Sequence, residues 1–179
     1  LILGGETCSS TLVKRWSRPG LRIMNTYGPT EATVIATYSE CAPDKEVTIG
    51  QPLPGYEAYL LNDQLQEVEP GESGELCIGG PALARGYVNR PESTLEKFIP
   101  NPQNPTQRLY RTGDLAIKTS TGEIQFLGRI DDQIKLRGFR IELNEIETVI
   151  MDYPGINQAV VSLEPEQSFL VAYLVLDKN

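Results

Sequence analysis

Residues 25–31, with the sequence NTYGPTE, combine groups that could hold a nucleotide phosphate and a divalent cation. Gly28 lets the backbone approach a ligand closely, and the Thr30 hydroxyl with nearby N–H groups can hold a phosphate. The Glu31 carboxylate is the hard oxygen ligand that Mg²⁺ prefers, and Tyr27 offers a flat face for a base. An ordinary turn, with Thr30 or Glu31 near a helix start, is the alternative.

Two further segments carry less specific signals. Residues 4–6 (GGE) place two glycines at the end of an apolar strand, where a tight turn is the alternative. Residues 110–114 (YRTGD) end in Asp114, whose carboxylate can accept both hydroxyl donors of a ribose diol. The alternative for this segment is a loop before a strand, in which the aspartate satisfies backbone N–H groups.

Residues 128–142 (GRIDDQIKLRGFRIE) form a locally cationic strip with Arg129, Lys135, Arg137 and Arg140. The whole chain has 16 Lys and Arg against 24 Asp and Glu, for a net charge of −8. A cationic strip in an acidic protein favours an anionic partner such as phosphate. A solvated hairpin with mixed charges is the alternative, and its ion pairs would contribute little to stability.

Composition excludes several other functions. The chain has no histidine, so Ser-His-Asp and Cys-His mechanisms are impossible within it. Its acidic balance argues against general binding of nucleic acid or of anionic membranes. Cys8, Cys41 and Cys77 are widely spaced and form no CxxC pair, which argues against a zinc site or a disulfide framework. We therefore expect a reducing, cytoplasmic location.

The elements that position these groups are predicted to be mostly short strands. Sixteen glycines and 13 prolines fall between short apolar runs, which favours a β-rich chain with many turns. Strands are predicted at residues 1–3, 21–24, 33–39, 56–61, 74–78, 115–118, 123–127, 133–136, 139–141, 159–163 and 169–176. Helices are predicted at residues 10–16, 91–99 and 143–152, the last from an apolar stripe at helical spacing.

The pattern of elements changes near residue 130. Before it the chain is mostly strands with two short helices, and after it come a β-hairpin, a helix and two strands. Residues 128–132 form a polar, charged joint, so we predict a domain boundary there. The fold class is thus α+β, with a β-rich region at 1–130 and a small α+β region at 131–179.

The motifs taken in order resemble the acyl-adenylate-forming superfamily, in particular the amino-acid adenylation domains of nonribosomal peptide synthetases. The matching blocks are NTYGPTE (25–31), GELCIGGPALARGYVNRP (74–91), YRTGDL (110–115) and GRIDDQIKLRGFRIELNEIE (128–147). The resemblance implies that residues 1–130 are the β-rich end of the large AMP-binding subdomain. Residues 131–179 would be the first half of the small lid domain.

Such enzymes activate a carboxylic acid with Mg-ATP, release pyrophosphate, and pass the acyl group to a phosphopantetheine thiol on a carrier protein. By the resemblance, Gly5, Glu6 and Asn25 would border the adenine, and Tyr27 would stack on it. The implied partners are an amino-acid substrate, a peptidyl carrier domain and neighbouring synthetase modules.

The remaining nucleotide roles also follow from the resemblance. Thr30 would contact the phosphate and Glu31 would bind Mg²⁺. Asp114 would hold the ribose hydroxyls, with Arg129 near the same nucleotide. In the second domain, the resemblance implies that Asp131 is the hinge of the lid. Lys135 and Gly138 would lie on the face of the lid that is presented for thioester formation.

Positions matching the family's acyl pocket are Ile2, Gly4, Thr26, Val34 and Ile35. These residues are apolar, small or singly polar, and an unpaired buried charge is costly. We therefore expect a substrate with a neutral side chain.

The family's phosphate loop, the aspartate that grips the substrate amine and the lysine near the end of the lid have no counterpart in these 179 residues. We expect the segment alone to be inactive, and a domain inserted after Asn179 is possible in the parent. An acyl-CoA or fatty-acyl-AMP ligase of the same superfamily, and a noncatalytic β-rich binding module, are the alternatives.

Overall fold

The computed structural model describes residues 1–164 and 169–177, and the chain divides into two compact units, Leu1–Ile130 and Asp131–Asn179. The division falls at the charged joint predicted near residue 130. About 45% of the chain is strand and 15% is helix, which confirms the β-rich α+β class. The assignment of the two units to the two parts of an adenylation domain stays a prediction.

Three helices and thirteen strands are seen in the described residues. The helices are α1 (Ser10–Trp16), α2 (Pro91–Lys97) and α3 (Leu143–Met151), and a 3-10 turn covers Thr30–Ala32. The strands of the first unit are β1 (Ile2–Leu3), β2 (Ile23–Tyr27), β3 (Thr37–Cys41), β4 (Gln51–Pro52), β5 (Glu57–Leu61), β6 (Ser73–Gly79), β7 (Phe98–Asn101), β8 (Asn104–Lys118) and β9 (Ile124–Arg129). Those of the second are β10 (Gln133–Leu136), β11 (Phe139–Glu142), β12 (Ile156–Glu164) and β13 (Phe169–Leu176).

The first sheet has the strand order β1-β2-β3-β4. Strand β1 is parallel to β2, with Leu3 opposite Asn25, whereas the other two pairs are antiparallel. Parallel neighbours end at the same sheet edge, which is where open α/β sheets bind ligands. Residues 4–6 and residues 28–31 therefore leave the sheet at one edge.

The second sheet has the order β5-β6-β8-β7, and β9 pairs with the C-terminal end of the long strand β8. Strand β6 is buried on both faces, because Leu76 and Ile78 enter one apolar cluster and Cys77 enters another. The larger cluster includes Tyr27, Ala32 and residues from both sheets, so one core supports both.

Gly50 joins the two sheets at a point where a side chain has no room. Its carbonyl accepts from Ile124 N–H at 2.7 Å, and Ile49 N–H donates to the Ile124 carbonyl at 2.9 Å. The Gly50 φ is +77°, and a Cβ there would lie 1.7 Å from the Tyr38 carbonyl oxygen. Both the backbone conformation and the close approach require glycine.

The second unit contains a hairpin, a helix and an antiparallel strand pair. Arg137 and Gly138 form the two-residue turn between β10 and β11, with φ of 54° and 81°. Positive φ at both central residues matches the right-handed twist of the flanking strands. Glu147 of α3 accepts from the Val161 N–H of β12 at 2.8 Å, which ties the helix to the β12–β13 pair.

Most element predictions agree with the structure. Helix α1 has the predicted bounds, and the Ser9 hydroxyl caps it by accepting from Leu12 N–H at 3.2 Å. Helix α3 ends one residue before its predicted end, and β13 has the predicted bounds. Part of the predicted polar loop between β12 and β13, with Pro165, lies outside the described residues.

Three local predictions are wrong, each because a tertiary contact outweighs local propensity. Residues 25–27 continue strand β2, because they pair with β3, rather than opening a turn. Thr33 and Val34 have positive φ values of 56° and 72° and are not extended. Residues 98–99 belong to strand β7 rather than to a helix, because Phe98 pairs with Tyr110. Residues 110–114 lie within strand β8, so the loop given as the alternative for this segment is not formed.

Candidate functional site

Asp114 is held by two side chains from distant parts of the chain. The Tyr27 hydroxyl donates to one carboxylate oxygen, and Arg129 Nη1 donates to the other at 2.8 Å. Asp114 is only 5% exposed, and the Arg129 side chain is 16% exposed. Three of the predicted nucleotide residues, from three separate sequence blocks, are thus brought into one cluster.

Strand pairing explains this placement. Asp114 on β8 lies directly opposite Arg129 on β9, so their side chains share one face of the sheet. The Thr112 hydroxyl donates to the Leu76 carbonyl at 2.6 Å and accepts from Asp114 N–H at 3.0 Å, while Arg129 also donates to the Thr112 carbonyl. Hydrogen bonds therefore fix Asp114 through its backbone N–H as well as through its carboxylate oxygens.

Tyr27 serves as a hydrogen-bond donor in this cluster. Burial raises the pKa of its phenol well above the ordinary value, and the negative charge of Asp114 raises it further. The hydroxyl therefore stays protonated and donates to Asp114. The ring is 9% exposed and packs in the larger apolar cluster, and its stacking on a base stays a prediction.

Strand β2 separates the predicted site residues onto two faces. Ile23, Asn25 and Tyr27 alternate with Met24 and Thr26, and only the first three are buried. The Asn25 amide donates to the Thr48 carbonyl at 2.8 Å. On the opposite face, the Thr26 hydroxyl donates to the Leu3 carbonyl at 2.8 Å. The predicted nucleotide side and the predicted acyl side of β2 are therefore different faces of one strand.

Of the residues predicted to form the acyl pocket, Ile2 lies in β1 and Thr26 in β2, Gly4 follows β1, and Val34 and Ile35 follow the 3-10 turn. A Cβ at Gly4 would lie 2.6 Å from the Thr26 hydroxyl oxygen, so these two residues are in close contact. Ile2 and Val34 are each 69% exposed, whereas Ile35 is half-buried. Gly5 and Glu6, predicted to border the adenine, lie exposed in the segment after β1.

Glu31 is a buried carboxylate at the start of the loop after β2. It is 7% exposed, and one of its carboxylate oxygens accepts from the Tyr87 hydroxyl at 2.6 Å. Its backbone carbonyl accepts from Ala84 N–H at 2.8 Å. Thr30, which precedes it in the 3-10 turn, is exposed. The loop that carries Glu31 is thus tied to residues 84–87.

Replacing Tyr87 by phenylalanine is expected to lower the local stability of this loop by about 1–3 kcal/mol, because a buried carboxylate loses a charge-assisted hydrogen bond. Hydrogen–deuterium exchange of the peptides that contain residues 28–36 in the full-length protein measures the change. Tyr38, whose side chain is exposed, gives the matched control Tyr38→Phe. Equal exchange in the two variants would contradict the prediction.

The predicted lid residues lie in the second unit. Asp131 is its first residue and accepts from Gln133 N–H at 3.3 Å. Lys135 is exposed on β10, opposite Arg140 on β11. Their roles as hinge and as thioester-step residue stay predictions.

Two residues of the site were not predicted individually, namely Tyr87 and Thr112. Tyr87 belongs to the block of residues 74–91, in which no site residue was predicted, and its bond to Glu31 joins residues far apart in the sequence. Thr112 lies in the YRTGDL block, but its role as a support for Asp114 depends on the pairing of β6 with β8. No local signal reveals either contact.

The residues that the structure describes are 1–164 and 169–177. They contain no cluster of three or more Cys, Asp or Glu side chains arranged to hold a metal ion. Each helix among them is too short or too polar to cross a bilayer.

The chain matches known proteins over almost its whole length. Residues 1–88 match the family model described as AMP-binding enzyme. The chain is 49% identical to delta-poly-L-ornithine synthetase from Acinetobacter baumannii, over 96% of the chain and 13% of that protein. It is 48% identical to novobiocin biosynthesis protein H from Streptomyces niveus, over 98% of the chain and 30% of that protein.

A solved structure shares the fold. PA1221, described as a nonribosomal peptide synthetase protein containing adenylation and PCP domains, superposes with a TM-score of 0.85 at 30% identity. The superposition covers 98% of this chain and 38% of PA1221, so the chain spans well under half of each of these relatives. By sequence and by structure, the chain belongs to the AMP-binding enzyme family and is part of an adenylation domain of the nonribosomal peptide synthetase kind.

Proposed function

We propose that the protein containing this chain activates an amino acid with Mg-ATP as an aminoacyl adenylate and transfers it to the phosphopantetheine thiol of a carrier domain. The observation that carries the proposal is the cluster of Asp114, Tyr27 and Arg129. A buried carboxylate fixed from both oxygens is a preorganised acceptor for the two hydroxyls of a ribose.

Charge supports this role for Asp114. Each carboxylate oxygen has more than one acceptor position, so bonds from Tyr27 and Arg129 leave capacity for two further donors. Arg129 neutralises the carboxylate, and Tyr27 holds its orientation. Bound in this way, the nucleotide would be positioned by residues whose own conformations cost little to organise.

Glu31 fits the proposed magnesium site. Mg²⁺ is commonly held by one or two carboxylates together with substrate phosphates, rather than by a cage of protein ligands. One Glu31 oxygen is engaged by Tyr87, which fixes the carboxylate on a loop that leaves the sheet beside residues 4–6. The metal would offset phosphate charge there, and the exposed Thr30 hydroxyl would hold a phosphate oxygen.

The acyl side supports a substrate with a neutral side chain. Gly4 and Thr26 are in close contact, and the Thr26 hydroxyl is already bonded to the Leu3 carbonyl. None of Ile2, Val34 and Ile35 supplies a charge for a charged substrate. We further propose neighbouring synthetase modules as partners and a cytoplasmic location.

Amino-acid-dependent ATP–pyrophosphate exchange by the full-length protein tests the proposal. We expect exchange with one or a few neutral amino acids and its loss when EDTA removes Mg²⁺. The panel must include ornithine, because the relative named for poly-L-ornithine is 49% identical. Preference for a charged amino acid would overturn the neutral-substrate proposal alone, whereas no exchange with any amino acid would overturn the activity.

A further inference from the structure

Thr48, a buried residue of the loop between β3 and β4, contacts three other elements of the first unit. Its carbonyl accepts from the Asn25 amide of β2 at 2.8 Å, and its hydroxyl lies 3.0 Å from the Ser39 hydroxyl of β3. The same hydroxyl lies 2.7 Å from a carboxylate oxygen of Glu123, the residue before β9. Asn25 and Ser39 are opposite each other in the β2–β3 pair, so their side chains share the sheet face that Thr48 covers.

We propose that Glu123 and Thr48 are positioning residues that orient the Asn25 amide toward the base of the nucleotide. The inference rests on the proposed function, in which Asn25 borders the adenine. It adds the loop of residues 42–50 and the start of β9 to the parts of the chain that determine which base is accepted.

The Glu123 carboxylate determines which groups donate in this cluster. A hydrogen bond from the Lys45 ammonium, at 2.6 Å, lowers the pKa of Glu123, although partial burial opposes the shift. An ionised carboxylate can only accept, so the single hydroxyl proton of Thr48 goes to Glu123 and the Thr48 oxygen accepts from Ser39. Glu123 therefore holds Thr48 by a charge-assisted hydrogen bond, which is stronger than a neutral one.

Thr48 in turn fixes the orientation of the Asn25 amide. A carbonyl cannot donate, so the amide nitrogen must face Thr48, and the amide oxygen is the acceptor that Asn25 can offer to a ligand. Adenine carries an exocyclic amino group, which donates to such an oxygen, whereas guanine carries an oxygen at the same position. If the Thr48 carbonyl shifts, the amide is free to rotate, and the preference for adenine falls.

Nucleotide binding by the full-length protein tests the inference. Isothermal titration calorimetry gives the Kd for ATP and for purine riboside triphosphate, which lacks the amino group. Thr48→Val keeps the shape of the side chain without the hydroxyl, and we expect it to raise the Kd for ATP about 3- to 10-fold, as for the loss of one hydrogen bond. The Kd for purine riboside triphosphate should change little. Equal increases for both nucleotides would indicate a general loss of structure and would overturn the inference.

A double variant tests whether Glu123 acts through Thr48. Glu123→Ala removes the acceptor of the Thr48 hydroxyl, so it should also raise the Kd for ATP more than that for purine riboside triphosphate. Since one hydrogen bond joins the two residues, Thr48→Val combined with Glu123→Ala should raise the Kd for ATP no further than the more affected single variant. Fully additive effects would contradict the proposed route.

Two controls separate positioning from general stability. Thr48→Ser retains the hydroxyl and should restore the ATP affinity of the unmodified protein. Glu46→Gln is the matched control for Glu123, because the exposed Glu46 lies in the same loop as Thr48 and accepts from Gln125 of β9. It should leave the Kd for both nucleotides unchanged. A loss of base preference in Glu46→Gln, or an ATP affinity in Thr48→Ser as low as in Thr48→Val, would count against the inference.

The unmodified protein distinguishes this inference from the proposed function. Equal affinity for ATP and for purine riboside triphosphate would overturn the inference alone. Binding of ATP without pyrophosphate exchange on any amino acid would overturn the proposed activity alone. Failure to bind either nucleotide would overturn both.

Discussion

Asp114→Asn is expected to raise the KM for ATP in pyrophosphate exchange by roughly 10- to 100-fold, since hydrogen bonds to a charged acceptor contribute about 1.5–3 kcal/mol. Asparagine keeps the shape of the side chain but replaces one acceptor oxygen with a donor and removes the charge. The KM for the amino acid should change much less, because Asp114 lies among the predicted nucleotide residues.

A matched control separates nucleotide binding from stability, because Asp114→Asn also leaves the Arg129 guanidinium without its carboxylate. Glu75→Gln breaks a second ion pair in the same sheet, in which Glu75 accepts from Arg111 at 2.6 Å and from Gly113 N–H at 3.1 Å. Glu75 has no predicted contact with the nucleotide. Equal increases of the ATP KM in both variants would contradict the role proposed for Asp114.

Gly50→Ala is expected to prevent native pairing of β3 with β4 in the first sheet. The added Cβ would lie 1.7 Å from the Tyr38 carbonyl oxygen and 2.6 Å from the Ser39 nitrogen, and backbone atoms there cannot rotate away. A positive φ adds about 1–2 kcal/mol for any residue with a Cβ. Loss of folded protein, or exchange in β3 and β4 as fast as in the unfolded chain, is the expected result.

Gly71→Ala is the matched control for Gly50→Ala. Gly71 has a φ of +91°, and a Cβ at this position would meet no atom within 4 Å. The Gly71→Ala variant therefore incurs the conformational cost of a positive φ without a steric clash, and we expect it to be expressed as folded protein. Native exchange rates in Gly50→Ala would show that the β3 backbone can shift to accept the added Cβ at little cost, and would contradict the prediction.

Local signals were sufficient for elements whose residues interact with near neighbours in sequence. Ser9 caps α1 through a residue three positions away, and the Arg137-Gly138 turn is specified by its own φ values. The apolar stripe of residues 143–153 predicted α3 for the same reason. These elements depend on contacts that a sequence window contains.

Elements fixed by distant contacts were predicted less well. Thr33 and Val34 are β-branched and favour extended backbone, but the Ala36 N–H bonds to the Tyr27 carbonyl and the Thr33 hydroxyl bonds to the Ala82 carbonyl. These contacts hold the loop in a conformation that local preference disfavours. Similarly, residues 110–114 look like a loop until β6 and β9 pair with them on either side.

The candidate site shows the same division. The motifs indicated a chemical role for each of Tyr27, Asp114 and Arg129. They did not indicate that the Asp114 carboxylate binds both Tyr27 and Arg129. Strand pairing sets Asp114 opposite Arg129, and that pairing is a property of the whole unit.

The alternation of β2 has a consequence for how such a protein could diversify. Neighbouring residues on this strand belong to opposite faces, with Asn25 and Tyr27 on one and Thr26 on the other. Under the proposed function, a substitution at Thr26 changes which amino acid is selected, while the nucleotide-binding face keeps its residues. Protein engineering or natural selection could thus change the substrate specificity through one face of this strand and leave the nucleotide-binding residues on the other face unaltered.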